Sequence, residues 1–394
     1  MKNVLIPFVI VASGCGLAGS EELGSSQFAV WEFTETNQLE PANGTIMGQD
    51  VDSYAWYSVV GGLSSDGSRG EARIFEAQGW SWVEIATLSA QAGEDLGLAV
   101  TLDGNRDGYT VALGGQQQDV VRVYTRNGAT WTEQATLTPS DGPLADLSFG
   151  ATVDLHDNTL VVGAWDPDKL VAGAVYVFVR DGSTWTEQAK LVAPGFDDHG
   201  AYGTAVAVDG DTILVGSPAE NQARGAVHVW SYDGWFWSPQ VVLTGTNPGD
   251  QFGTAVAIHD DISVIGAIGD DGGASDSGAA YVYQDTGSTW TQAAKLTYGD
   301  AATGDGFGAA VATRWDVVTV SAPHHNQGQG AAYCFASGSS WAELVKLEAS
   351  DGAADDALGA SAAMNGGMVM LGAPHRDNDA GGAYLYDLFM TPAP

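Results

Sequence analysis

The sequence is poor in positive charge, in cysteine and in long apolar runs. Only 14 Lys and Arg residues oppose 49 Asp and Glu, and the formal charge of -35 repels phosphate backbones and anionic lipid headgroups. We therefore expect no nucleic-acid partner and no charge-driven membrane binding. Because Cys15 and Cys334 are the only cysteines, no disulfide framework can stabilise the fold. The chain is instead rich in glycine, with 53, and in tryptophan, with 13, a composition typical of turn-rich all-β proteins.

The one marked apolar run, residues 4–12, lies close to the N-terminus behind Lys2. It is too short to span a bilayer and is typical of the hydrophobic region of a signal peptide. The run ends in Ala12-Ser13-Gly14-Cys15, which resembles a bacterial lipobox, so we expect export and lipid attachment at Cys15. Ordinary signal-peptide cleavage nearby, for example after Ala18, is the alternative.

A repeat of about 50 residues runs along the chain, the length typical of a propeller blade. Each unit carries an aromatic residue and, six positions later, a leucine. The aromatic residues are Phe33, Trp82, Trp131, Trp185, Trp237, Trp290 and Trp341, and the leucines are Leu39, Leu88, Leu137, Leu191, Leu243, Leu296 and Leu347. We expect both sets to pack between neighbouring units.

Glycines mark a second periodicity within the same units. A first glycine is followed 13 positions later by a second small residue, except between Gly97 and Gly114, where the spacing is 17. The regular pairs are Gly48 and Gly61, Gly150 and Gly163, Gly203 and Gly216, Gly253 and Gly266, Gly308 and Ser321, and Gly359 and Gly372. Within each pair the hydrophobic pattern predicts a tight hairpin such as the one at Asp209-Gly210-Asp211.

Two further strands follow each hairpin, so each unit has four strands and seven units predict an all-β, seven-bladed β-propeller. The last unit lacks an outer tryptophan strand, whereas the strand at Phe33 has no unit before it. We therefore expect the N-terminal strand to complete the last blade, which closes the ring and covers its open edge. The predicted organisation is a signal peptide at 1–14, a linker at 15–32, the propeller at 33–387 and a tail at 388–394.

The later units carry an aromatic-Gly pair and a Gly-Ala-Pro-like triplet, as in Phe149-Gly150, Tyr202-Gly203 and Gly372-Ala373-Pro374. This pattern resembles FG-GAP repeats, which occur in integrin α-subunit propellers and in many exported bacterial proteins. The resemblance implies a propeller used for adhesion or ligand binding. Kelch repeats are the alternative, since Gly61-Gly62 and Gly114-Gly115 fit their Gly-Gly pair.

The longer insertion between Gly97 and Gly114 contains a candidate calcium loop. Asp103, Asn105 and Asp107 offer oxygens at alternate positions, and Gly108 precedes the backbone carbonyl of Tyr109. The segment resembles the calcium loop of FG-GAP repeats, but Val111 stands at the final acidic position, so we expect weak Ca²⁺ binding, on the order of 10⁻⁴ to 10⁻³ M. A plain polar turn is the alternative. Other hairpins, such as the one at His156-Asp157-Asn158, are too short to wrap a cation.

Loops between the second and third strands should cluster on one face with the loops that join neighbouring blades. We predict a ligand-binding face there, with these candidates: Asp166, Asp168, Asp270, Asp271, His324, His325, His375 and Asp377. Such a face can hold a divalent cation or dock a basic partner, and the histidines can add nitrogen ligands. Solvated loops on an acidic exported protein are the alternative.

The sequence therefore predicts an exported, lipid-anchored, monomeric and non-catalytic propeller that binds an extracellular protein or glycan. Its membrane contact would be the lipid anchor alone. One alternative is a hydrolytic, glycosidase-like propeller, which needs two carboxylates about 5–10 Å apart. Another is a passive surface scaffold.

Overall fold

The structure is a computed structural model in which seven four-stranded antiparallel sheets form a closed ring. It describes residues 29–40, 46–64, 69–79, 81–91, 93–117, 119–142, 147–166, 172–194, 200–287, 289–338 and 340–392. The predicted signal peptide, Cys15 and Asp168 lie outside these ranges. No helix among the described residues is long and apolar enough to cross a membrane.

The sheets follow one another along the chain, and each first strand lines the central axis. Blade 1 contains β2 (Ile46–Tyr54), β3 (Tyr57–Leu63), β4 (Gly70–Gln78) and β5 (Ser81–Ser89). Blade 2 contains β6 (Ala99–Asn105), β7 (Gly108–Gly114), β8 (Val121–Asn127) and β9 (Thr130–Leu137). Blade 3 contains β10 (Ser148–His156), β11 (Thr159–Trp165), β12 (Ala174–Asp181) and β13 (Thr184–Leu191). Blades 4 and 5 are β14 (Ala205–Asp209), β15 (Thr212–Ser217), β16 (Ala226–Tyr232) and β17 (Trp237–Thr244); β18 (Phe252–His259), β19 (Ile262–Ala267), β20 (Ala279–Asp285) and β21 (Trp290–Leu296).

Blade 7 contains the two ends of the described chain. Blade 6 is β22 (Val311–Arg314), β23 (Val317–Ala322), β24 (Ala331–Ala336) and β25 (Ala342–Leu347); blade 7 is β26 (Ala362–Asn365), β27 (Met368–Ala373), β28 (Gly382–Pro392) and the N-terminal β1 (Ala29–Leu39). Short helical turns, α1 (Glu220–Ala223), α2 (His325–Gly328) and α3 (Arg376–Asp379), follow the second strands of blades 4, 6 and 7. The predicted seven blades of four strands are thus confirmed.

The N-terminal strand β1 closes the ring by pairing antiparallel with β28, with Gln38 opposite Tyr384. Its Glu35 carboxylate accepts hydrogen bonds from the Ser350 amide at 2.8 Å and the Ser350 hydroxyl at 3.0 Å, across to blade 6. Glu187 of β13 accepts the same two bonds from Ser140 of blade 2. The strand β1 thus makes the same contacts to the preceding blade as β13, the fourth strand of blade 3. The predicted closure is therefore confirmed. Both strands extend past the predicted propeller limits, Ala29 pairing with Pro392.

The repeated leucines and tryptophans join neighbouring blades, as predicted. All seven leucines are buried, with no more than 7% of their surface exposed. The tryptophans are mostly half-buried, and the indole N–H of Trp185 donates to Gln134 of the preceding blade at 2.9 Å. Trp237 makes the equivalent bond to Gln188. Apolar burial and one polar tie therefore recur at successive blade junctions.

The second glycine position of each unit faces the first glycine position of the next unit across the blade junction. A Cβ added at Gly163 would lie 2.4 Å from the carbonyl oxygen of Gly203 in the next blade, and one added at Gly372 would lie 2.3 Å from the carbonyl oxygen of Gly48. Side chains cannot fit at that separation. The glycine spacing in the sequence is therefore the signature of backbones that pack directly against each other around the ring.

Candidate functional site

One face of the ring is built from the predicted loops. In blade 6 the turn at α2 bonds to the segment that enters blade 7: the amide of Ala357 donates to the Gly328 carbonyl at 2.8 Å, and that of Leu358 donates to the Gln329 carbonyl at 3.1 Å. Asn326 at the centre of this turn has a φ of 52°, a left-handed conformation that Asn adopts more readily than most residues. The loops between second and third strands thus lie beside the loops between blades, as expected; we call this side the loop face.

Two of the predicted ligand-face residues are used by the fold itself. Asp270 is buried and accepts hydrogen bonds from the Tyr281 hydroxyl at 2.6 Å and from the Lys295 ammonium at 2.7 Å. His325 is buried as well, with Nδ1 at 2.8 Å from Asp305 Oδ2 and Nε2 at 3.4 Å from Asp300 Oδ2. Their side chains are therefore tied within the loop face and do not present free ligands.

Aspartates that bind both a tyrosine hydroxyl and a lysine ammonium recur around the loop face. Tyr333 donates to Asp300 at 2.8 Å, and the Lys346 ammonium lies 2.8 Å from the same carboxylate. Burial opposes ionisation of Asp300, but the bonds from Lys346 and Tyr333 outweigh it and hold its pKa below the usual value. The acidic loops consequently serve in part as anchors for the third strands.

Of the other candidates, Asp166 is 3% exposed, so its carboxylate is not presented to solvent. Asp271 is exposed in the blade 5 loop and accepts a hydrogen bond from the Asp276 amide at 2.9 Å. Neither residue lines the cleft described next.

The structure brings His324, His375 and Asp377 together at a cleft of about 730 Å³ between blades 6 and 7. All three side chains are exposed, and His375 Nδ1 lies 2.8 Å from Asp379 Oδ1. The lining also contains the acids Asp351, Asp355, Asp356, Asp377 and Asp379, and Arg376 is its single guanidinium. Five carboxylates against one permanent cation make this cleft an acidic concavity.

Arg376 holds the base of this acidic cleft. Its side chain is 5% exposed, and Nη2 lies 2.9 Å from carboxylate oxygens of both Glu40 and Asp351. Burial opposes ionisation of Asp351, but a hydrogen bond from Tyr384 and the charge of Arg376 outweigh it and lower its pKa. Asp351 is therefore ionised at neutral pH and has no proton to donate as a general acid.

The predicted calcium loop is a tight hairpin on the opposite face, which we call the hairpin face. The extra residues lengthen β6 to Asn105 and start β7 at Gly108, leaving a two-residue turn. Asp103 accepts a hydrogen bond from the Asp157 amide, and Asn105 accepts one from the Asp107 amide at 2.8 Å. One side-chain oxygen of each residue thus serves the hairpins themselves, and calcium binding at this loop stays a prediction.

A channel of about 420 Å³ runs along the axis and is lined by the first strands of all seven blades. Asp50, Asp52 and Asp154 are among the acids that line it. Each accepts a backbone hydrogen bond from the next blade: Asp50 from Val100, Asp52 from Leu102 and Asp154 from Val208, at 2.8, 2.7 and 2.6 Å. Burial is the main cause that raises the pKa of Asp50 to about 7, of Asp52 to about 6 and of Asp154 to about 8.

At the hairpin face this channel ends in a ring of polar side chains that the sequence analysis did not assemble. Each blade contributes the sixth residue after its first glycine, in the order Tyr54, Asp103, His156, Asp209, His259, Arg314 and Asn365. The signal was present, because aligning the units on that glycine places all seven residues in one column. No single hairpin shows this column.

Comparison with known proteins agrees with this architecture. The FG-GAP repeat family matches residues 131–178, 185–230, 237–283, 290–335 and 341–386, together more than half of the chain. No curated protein matches. A crystal structure of a protein from Lactobacillus plantarum shares the fold, with a TM-score of 0.53 and 14% identity over 81% of this chain and 86% of that one. The repeats begin at the outer-strand tryptophans and leave the first two units unmatched, as their weaker motifs lead one to expect. The chain therefore belongs to the FG-GAP repeat family.

Proposed function

We propose that this propeller is an exported, non-catalytic binding protein whose acidic cleft on the loop face takes a cationic segment of an extracellular protein. The observation that carries the proposal is the concavity of about 730 Å³ whose lining contains five carboxylates and one guanidinium. A cleft of this size falls in the range used for ligand binding. Its lysine- or arginine-rich occupant would offset the excess negative charge.

The charge of the whole chain supports this choice of partner. A formal charge of -35 produces a negative field that raises the association rate of cationic ligands, and a cleft concentrates that field. Asp355, Asp377 and Asp379 are exposed at the rim and contribute to this field where an approaching ligand meets the protein. We therefore expect binding to weaken steeply with salt.

Binding suits the cleft better than hydrolysis does. A glycosidase-like reaction requires one protonated carboxyl group near a second, ionised one. The pKa of Asp351 is lowered by Tyr384 and Arg376, which is the opposite of what a general acid needs. A panel of chromogenic glycosides tests this point, and turnover that is lost on substitution of the cleft acids would contradict a non-catalytic role.

A peptide array of basic, acidic and neutral sequences tests the proposed partner class. We expect the basic peptides to bind, and the double substitution Asp355→Asn with Asp377→Asn to reduce their affinity at least tenfold. The double substitution Asp211→Asn with Asp261→Asn removes two exposed carboxylates from the hairpin face and serves as the matched control. Equal weakening by the control would mean that net charge alone attracts the peptides, and the cleft would then not be the site.

A second candidate function is glycan binding on the hairpin face. Trp56 and Trp315 are 66% and 58% exposed, and they flank the hairpin of blade 7. Asn365 of that hairpin donates to the Ala55 carbonyl at 2.9 Å, and Gly366 lies against the Trp315 ring. Exposed tryptophans on a rigid surface can stack on sugar rings. A glycan array probed with the wild type and with Trp56→Ala and Trp315→Ala would detect this activity.

Export and lipid anchoring at Cys15 complete the proposal and rest on residues 1–15 of the sequence. Labelling cells with an alkyne fatty acid is expected to tag the wild type and to leave Cys15→Ala untagged. A Cys15→Ala protein that remains in the membrane fraction with its fatty-acid label would contradict attachment at this position. Cys334 is buried and is not expected to react.

A further inference from the structure

The hairpins of blades 3, 4 and 5 bring histidine and aspartate side chains together at the mouth of the axial channel. Asp209, His259 and Asp260 each place one potential ligand atom within 4.8 Å of the other two. His156 Nδ1 of the neighbouring hairpin lies 3.2 Å from Asp209 Oδ1. No other comparable group of three His, Cys, Asp or Glu residues occurs in the described ranges.

From this geometry we propose that the channel mouth binds a divalent transition-metal ion of the Zn²⁺ type. The ligands are Asp209 of blade 4 and His259 and Asp260 of blade 5, and His156 of blade 3 is the fourth. The site lies on the hairpin face, at the other end of the axis from the acidic cleft. It is therefore independent of the function proposed for that cleft.

The spacing of the side chains fits a tetrahedral ion. Zn–N and Zn–O bonds of about 2.0–2.2 Å place neighbouring ligands of a tetrahedron roughly 3.4 Å apart. The His156–Asp209 distance of 3.2 Å is close to this value, as is the 3.3 Å between His259 Nδ1 and Asp260 Oδ2. The ligand atoms of the three-residue cluster lie within 4.8 Å of one another, so its wider separations must shorten when the side chains bind one ion.

His259 supplies an independent indication of a missing partner. Its Nδ1 is inaccessible to solvent and has no hydrogen-bond partner, although the Asp260 carboxylate lies 3.3 Å away. A buried nitrogen without a hydrogen bond is destabilising, because the water it loses on folding is not replaced. A nitrogen and a carboxylate oxygen that lie close together without a hydrogen bond are what two ligands of one metal ion look like, because both direct a lone pair at the ion.

The Asp209 carboxylate is already oriented for such a role. Its Oδ2 accepts a hydrogen bond from the Asp260 backbone amide, which leaves Oδ1 facing His156. Outer hydrogen bonds of this kind orient metal ligands and strengthen binding.

The donor set selects the type of metal. Imidazole nitrogens with carboxylate oxygens suit Zn²⁺ and its transition-metal neighbours, whereas Ca²⁺ requires six to eight oxygens. A Ca²⁺ ion at the predicted Asp103 loop and a Zn²⁺ ion at this site are therefore distinguishable. Since the ligands come from three blades, the ion would also join their hairpins.

The test is metal titration of the full-length protein after removal of bound metal with a chelator. We expect one equivalent of Zn²⁺ to bind with micromolar or tighter affinity, and Co²⁺ to give the absorption of a tetrahedral complex. His259→Gln and the exposed-site variant Asp260→Asn should each weaken Zn²⁺ binding at least tenfold. Because the Asp260 side chain is 77% exposed, Asp260→Asn leaves the fold intact.

His375→Gln is the matched control, because it removes an exposed histidine from the acidic cleft on the loop face. It should leave Zn²⁺ affinity unchanged. No Zn²⁺ uptake by the wild type would overturn the proposal. So would uptake that His375→Gln abolishes and Asp260→Asn preserves, which would place the ion in the cleft instead.

Discussion

Replacing Leu39 with alanine tests whether the N-terminal strand is an integral part of the last blade. Leu39 is 3% exposed and packs in one cluster with Met47, Met370 and Leu385. Truncating a leucine at such a site costs about 2–5 kcal/mol, because the transfer energy of the removed carbons is lost and a cavity remains. We therefore expect Leu39→Ala to lower the free energy of unfolding by about 3 kcal/mol.

The matched control is Leu296→Ala, the equivalent position in the outer strand of blade 5, where the leucine is also 3% exposed and the strand follows directly from its own blade. Urea unfolding should show similar losses for both variants, and the volume-conserving Leu39→Met should cost less than about 1.5 kcal/mol. A loss below about 1 kcal/mol for Leu39→Ala, with the full loss for Leu296→Ala, would refute the closure of the ring by β1.

Three further predictions concern a blade junction, the loop face and the channel. Gly216→Ala should strongly destabilise the protein in thermal unfolding, because its Cβ would lie 2.2 Å from the Gly253 carbonyl oxygen; an unchanged melting temperature would contradict the close approach. Tyr281→Phe should cost about 1–3 kcal/mol in urea, since it removes a hydrogen bond to the buried Asp270, and a neutral result would show that this tie is dispensable. The folded-state pKa of Asp50, raised to about 7 from 3.8, means that the folded protein holds a proton there that the unfolded chain releases. Its contribution to stability is present in full below pH 4 and is lost as the pH rises to 7, by at most about 1.4 kcal/mol per pH unit. Urea midpoints between pH 5 and 8 should therefore show a shallower decline for Asp50→Ala than for the wild type, and parallel profiles would count against this assignment.

Much of the fold is predictable because its packing repeats. The paired glycines, such as Gly163 and Gly203, mark backbones in contact, and the leucine six residues after each aromatic residue marks an inter-blade core. The role of β1 follows from the missing outer strand of the last unit. The register of β1 against β28, including the bulge between Glu35 and Asn37, depends on tertiary contacts that no single unit encodes.

The candidate sites were less predictable. Asp270 belongs to the expected face, but Tyr281 and Lys295 bind its carboxylate within the fold. His325 is likewise bound by Asp305, whereas the adjacent His324 is exposed at the cleft. Burial of individual side chains decides between these roles. The sequence shows which residues a loop contains. It does not show which of their side chains bind residues of the third and fourth strands.

The amino-acid sequence by itself determined the seven-bladed ring, its strand count and its closure, because each depends on contacts that recur every 50 residues or so and leave a periodic trace. Only the tertiary structure decided which polar groups meet. His156, Asp209 and His259 lie on three hairpins, each too short to wrap a cation. They share one channel mouth because the ring brings equivalent positions of successive blades to its axis. Convergence on an axis depends on distance, which a one-dimensional pattern does not contain.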